Sequence, residues 1–104
     1  MTDKSSDGLL EALQDWYRSN CDGDWEHEFG IRIENIDNPG WAVSVPLAET
    51  PLERKPFVPV RIQRTENDWL VCRVEDATFR GDGGASNLSE IIAAFLDWAH
   101  GVSQ

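Results

Sequence analysis

Apolar positions along the chain keep first a helical period, then an alternation, then a helical period again. Between Gly8 and Asn20, Leu9, Leu10, Leu13, Trp16 and Tyr17 recur three and four residues apart. That spacing gathers them on one face and predicts an amphipathic helix over about residues 8–20. Ser6 or Asp7 is a candidate cap for its start, and Ser19-Asn20-Cys21-Asp22-Gly23 ends it. Residues 1–7 read as a polar, frayed terminus.

The period then becomes two. Phe29, Ile31 and Ile33 alternate with Gly30, Arg32 and Glu34, the signature of a half-buried strand. Asp37-Asn38-Pro39-Gly40 is a turn, in which Pro fixes φ and Gly supplies a positive φ. Trp41, Val43, Val45 and Leu47 return as the second strand of a hairpin, and residues 48–56, with Pro51 and Pro56, form a loop. Val58, Val60 and Ile62 alternate as a third strand, where Pro59 marks an edge or an irregular start. Trp69 to Val74 make a fourth, after a turn at Thr65–Asp68. A short fifth strand around Thr78-Phe79-Arg80 precedes a Gly81-Asp82-Gly83-Gly84 loop.

The last element is helical. Asn87 and Glu90 have capping-box spacing, Leu88, Ile91, Ile92, Phe95, Trp98 and Ala99 form one apolar stripe, and Gly101 stands where helices stop. The order helix, four or five antiparallel strands, helix predicts an α+β fold: a meander sheet with both helices on one face. At 104 residues the chain holds one domain, residues 1–104, and buries roughly two-thirds of its unfolded surface.

Composition narrows the function. Nineteen acids against nine bases give a net charge of −10, which disfavours binding to nucleic acid. The charge is uneven: residues 1–38 carry ten acids against Lys4, Arg18 and Arg32, while residues 39–104 carry nine against six bases. An acidic half invites a basic partner or a cation, unless it serves solubility alone. Met1–Asp7 lack the order of a secretory signal, and no apolar run nears the roughly 20 residues that cross a bilayer. A cytoplasmic protein is expected. Cys21 and Cys72 form no CxxC pair and read as reduced thiols, one or both buried.

The densest chemistry is Cys21-Asp22-Gly23-Asp24-Trp25-Glu26-His27-Glu28. Its residue types suit a metal, but the spacing is not that of a calcium loop, and the other histidine, His100, lies near the end of the second helix. Glu26 and His27 point to opposite faces of an extended chain and cannot act together as acid and base. The Gly81–Gly84 loop sits where an anion nest would, yet it lacks the Lys and Ser/Thr of a P-loop and carries Asp82. A recognition surface is the third reading. If the extended conformation starts near Asp24, then Asp24, Glu26 and Glu28 share one face, beside Asp22. Trp25 and a half-buried His27 join Phe29, Ile31 and Ile33 on the other. A solvated acidic edge that discourages strand pairing explains the same residues. Of five tryptophans, Trp16, Trp41 and Trp98 fall at core positions, Trp69 is assigned to the core, and Trp25 is open between core and interface anchor.

The strings LQDWYRSNCDGDWEHEFGIRIENIDNPGW at 13–41, DWLVCRV at 68–74, FRGDGG at 79–84 and NLSEIIAAFLDWA at 87–99 resemble the immunity protein 53 family of bacterial polymorphic-toxin loci. The resemblance implies a small cytoplasmic α+β protein that neutralises a cognate toxin and has no catalysis or cofactor. Many such toxins attack nucleic acids through basic clefts. Together with the charge, this gives the expectation of a one-to-one complex with a basic toxin. Asp22, Asp24, Glu26 and Glu28 would face its Lys and Arg, and Trp25 would add an apolar anchor. The competing reading is a small metal-binding or hydrolytic enzyme centred on His27, Glu26 and Cys21.

Overall fold

The alternating segments pair into one antiparallel sheet, and their apolar faces decide where the helices go. The computed structural model describes residues 4–101, and side chains from Gly8 onward. Its elements are α1 (Lys4–Asn20), α2 (Trp25–Glu28), β1 (Arg32–Ile36), β2 (Gly40–Pro46), β3 (Val60–Thr65), β4 (Asp68–Glu75), β5 (Thr78–Gly84) and α3 (Leu88–Ala99). The strands lie in the order β1-β2-β5-β4-β3. β3, β4 and β5 run as a meander, and the non-local pairing of β2 with β5 joins them to the β1–β2 hairpin. The α+β class, the antiparallel sheet and the two terminal helices are those the periodicity predicts.

The core joins Val43 and Val45 of β2, Leu70 and Cys72 of β4 and Phe79 of β5 to Leu13 and Trp16 of α1 and Ile91, Ile92, Phe95 and Leu96 of α3. Aromatic rings carry it across the layers: Trp16 to Phe95 at 5.0 Å and Phe57 to Phe79 at 5.6 Å edge-to-face, and Phe79 to Phe95 tilted at 5.2 Å.

Several boundaries differ from expectation. Helix α1 starts by Lys4, so Ser6 and Asp7 lie inside it and do not cap it; of the frayed terminus expected over residues 1–7, residues 4–7 are helical and residues 1–3 lie outside the described residues. The strand predicted at Phe29 begins at Arg32, because the preceding residues form a helical turn. Val58 is 82% exposed, and the third strand starts after Pro59. Gly40 does not take a positive φ. It is a strand residue, paired with Ile36 and Gly84, where a Cβ would strike the Gly83 carbonyl oxygen.

The largest correction is the expected Gly81–Gly84 loop. These residues are the second half of β5, the central strand. Helix α3 lies directly on them: a Cβ on Gly81 would collide with Ile91 Cγ2, and one on Gly83 would come to 3.0 Å from Ile91 Cδ1. The glycines buy close approach of helix to sheet, not flexibility.

The capping box is also absent. Asn87 is buried, and its amide turns to the sheet. Its Oδ1 accepts from the Trp69 N–H at 3.3 Å, and its Nδ2 donates to Asp68 at 2.9 Å and Glu90 at 2.7 Å. Arg64 completes the cluster through Glu90 and Asp68. The Arg64 bond, and then that from Asn87, holds the Glu90 carboxyl below its ordinary range. At its other end, α3 is tied to the 47–57 segment. Lys55 Nζ donates to the Trp98 carbonyl at 2.6 Å, and Trp98 Nε1 donates to Pro56 at 2.7 Å.

Candidate partner-binding site

Where α1 ends, its last side chains fold back on it. Ser19 Oγ and Asn20 Nδ2 both donate to the Trp16 carbonyl, at 2.7 and 2.9 Å, and Cys21 Sγ donates to Tyr17 O at 3.3 Å. Gly23 then turns the chain at φ +97°, a conformation glycine adopts without a Cβ clash. The next turn is clamped from both sides. Asp22 Oδ1 accepts the N–H groups of Asp24 and Trp25, each at 3.0 Å. Glu26 reaches back, Oε1 accepting from Asp22 N–H at 2.9 Å and Oε2 from Gly23 N–H at 2.8 Å.

Residues 25–28 are therefore one helical turn and not the extended start of a strand. The local reason is that two carboxylates satisfy four N–H groups that an extended chain would offer to a sheet. Both are held as anions. Asp22 lies below the ordinary carboxylate range, through the Trp25 N–H first and the Asp24 N–H second. Glu26 is lowered by its own N–H, then by those of Asp22 and Gly23, with His27 adding a favourable charge.

The helical turn changes the expected sorting of side chains at His27 and Glu26 and keeps it at Trp25, Asp24 and Glu28. Trp25 is only 3% exposed. Its Nε1–H donates to Ala48 O at 3.0 Å, and its ring lies 6.1 Å from Trp16, 5.7 Å from Tyr17 and 5.8 Å from Phe29. The indole fastens the loop to the core and offers no surface to a partner. His27, expected half-buried, is exposed, as are Asp24 and Glu28. Asp22 and Glu26 are committed to the loop backbone. Asp24 and Glu28 carry the free charge, with no hydrogen-bond or ion-pair partner among the described side chains.

Beside the loop lies a feature the sequence reading missed. Leu13, Gln14, Tyr17, Gly30 and Ile31 line an open groove of about 340 Å³ between α1 and the approach to β1. Leu10, one turn before Leu13, is 57% exposed, and Ile33, which continues the alternation of Ile31, is 39% exposed. The periodicity predicts core positions for all four aliphatic residues, and Leu13 is buried as expected. Leu10, Ile31 and Ile33 are left at least partly open because α1 packs against α3, and α3 covers β2, β4 and β5 but not the edge strand β1. Cys21, partial burial and Glu26, in that order, push the Tyr17 phenol up, so the groove keeps a neutral hydroxyl at its wall.

Cys21 is half-buried and Cys72 fully buried, both as free thiols. Among the described residues no three His, Cys, Asp or Glu side chains are grouped to hold a metal ion. No helix among them is long and apolar enough to cross a membrane. Compared with known sequences, residues 10–100 match the model of a family described as immunity protein 53. No curated protein and no solved structure matches the chain.

Proposed function

The chain belongs to the immunity protein 53 family, and on that footing we propose that it binds a cognate toxin domain and neutralises it by occlusion, with no catalysis of its own. It acts in the cytoplasm of the cell that makes the toxin or of its kin. The observation that carries the reading is the pairing of free charge with open apolar surface: Asp24 and Glu28 stand exposed beside the groove of Leu13, Tyr17 and Ile31. An apolar centre with a charged rim is how tight protein interfaces divide affinity from specificity. The matching partner surface is basic with an apolar projection, as at the cleft of an enzyme that handles nucleic acid. In this interface Asp24 and Glu28 meet toxin Lys and Arg. Asp22 and Glu26 shape the loop that presents them, and Trp25 holds that loop from beneath.

Growth rescue tests the role and affinity tests the surface. The toxin domain encoded beside this gene should arrest growth, and co-expression of the chain should restore it through a complex that co-purifies. Asp24→Asn with Glu28→Gln should weaken the complex about tenfold at low salt and flatten its salt dependence. Unchanged affinity and salt slope contradict the acidic surface. Failure of the folded wild type to rescue contradicts the immunity role.

A further inference from the structure

The face of the sheet turned away from the helices carries an unexpected charge order. In one row Arg32 pairs with Ser44, Ser44 with Arg80, and Arg80 with Arg73. In the next, Glu34 pairs with Ala42 and Ala42 with Asp82. Paired residues project to the same face, so like charges confront each other across the small side chains of β2. Arg32 faces Arg80 over Ser44, and Glu34 faces Asp82 over Ala42. These residues enclose a trough of about 290 Å³, positive at one end and negative at the other.

Internal stability does not favour this order, since like charges opposite one another destabilise a sheet. The ion pairs that relieve it are mostly long: Arg32–Glu34 at 3.9 Å, Arg73–Asp82 at 3.9 Å and Arg80–Glu75 at 4.0 Å, with only Arg73–Glu75 at 3.2 Å in hydrogen-bond range. Exposed pairs of that length contribute little. In a chain of charge −10, four of the nine basic residues (Arg32, Arg61, Arg73 and Arg80) have been gathered on this one face.

We propose that the trough is a second docking surface for the toxin, seating an extended segment with an acidic residue and, two positions along, a basic one; this rests on the toxin-binding reading above. Residues i and i+2 of a strand stand about 6.8 Å apart, the same rise that separates the arginine row from the carboxylate row. A carboxylate at the first position meets the Arg32, Arg80 and Arg73 guanidiniums in charge-assisted hydrogen bonds, and a cation at the second meets Glu34 and Asp82. Strand β1 joins the two surfaces. Its even residues Arg32 and Glu34 wall the trough, while Ile31, just before the strand, lines the groove and Ile33 turns to the same helical side as its partner Val43. One partner wrapped over this exposed edge reaches both.

The test uses the full chain and the toxin domain encoded beside its gene, titrated calorimetrically at fixed salt. Arg32→Glu with Arg80→Glu should raise Kd tenfold or more, and Glu34→Lys with Asp82→Lys should do the same. Should charge reversal unfold the chain, Arg32→Gln with Arg80→Gln poses the same question, with a threefold or larger loss expected. If the wild type rescues and binds while the folded trough variants keep Kd within twofold, the trough is overturned and the immunity role stands. If the wild type neither binds nor rescues, both fall.

Discussion

The acidic loop and the open face of the sheet both concentrate charge, but they hold it in different ways. In the loop, Asp22 and Glu26 spend their oxygens on four backbone N–H groups, and the free charge falls to Asp24 and Glu28. On the sheet, strand register sets Arg32 against Arg80 and Glu34 against Asp82 with small residues between. Counting acids along a sequence therefore misjudges a surface in both directions. Half of the loop's carboxylates are structural, and the groups best placed for a second contact are arginines in an acidic protein.

The largest way to break the comparison is on the loop side. Trp25→Ala should cost about 3–5 kcal/mol in denaturant unfolding, because it empties the space between Trp16, Tyr17 and Phe29 and frees the loop. A loss below about 1 kcal/mol would mean that the loop does not depend on the indole. On the sheet side, Gly81→Ala drives a methyl into Ile91 and should cost about 1–3 kcal/mol, while displacing the strand that bears Arg80 and Asp82. Ile91→Ala, which removes the colliding Cγ2, should cost less in the Gly81→Ala background than in the wild-type chain; strictly additive effects would contradict the close approach.

Acid should loosen the loop. Folding depresses the pKa of Asp22 and Glu26, so their stabilisation is complete above the ordinary carboxylate range and is lost as pH falls through the depressed values. The amides of Asp22 to Trp25 should lose order there. Carboxyl-carbon NMR titration reads this directly, and ordinary titration of both groups would contradict the clamp. The smallest effect is a labelling difference. Burial first, and Asp82 second, push the Cys72 thiol up to about 11. At pH 8 a thiol reagent should modify half-buried Cys21 well before Cys72, which reacts only on unfolding. Equal rates would contradict the packing of the sheet.

What the sequence made legible was whatever repeats locally. The stripe Leu88 to Ala99 and the alternation Val43, Val45 gave α3 and β2, and the two together gave the fold class. The exposure of His27 was illegible because two carboxylates turned an expected strand into a helical turn, and Trp25 stayed open between core and anchor because its indole is fixed by Ala48, Trp16 and Tyr17, contacts that no local period announces. Gly81 and Gly83 read as a loop because a run of glycine looks the same whether the chain must bend or a helix must approach. Asn87 matched a capping box by spacing, yet its side chain satisfies Asp68 and Trp69, which lie 19 and 18 residues away. The arginine row left no signal in spacing, since residues 32, 73 and 80 meet only through the pairing of four strands.

The most direct test of the account is an amide chemical-shift footprint of the whole chain titrated with the toxin domain. The account predicts large shifts along Leu10 to Tyr17 and Asp22 to Ile33, and a second set at Ser44, Arg73 and Arg80, the two meeting at β1. A footprint confined to β3 and residues 47–59, with both regions unshifted, would contradict it.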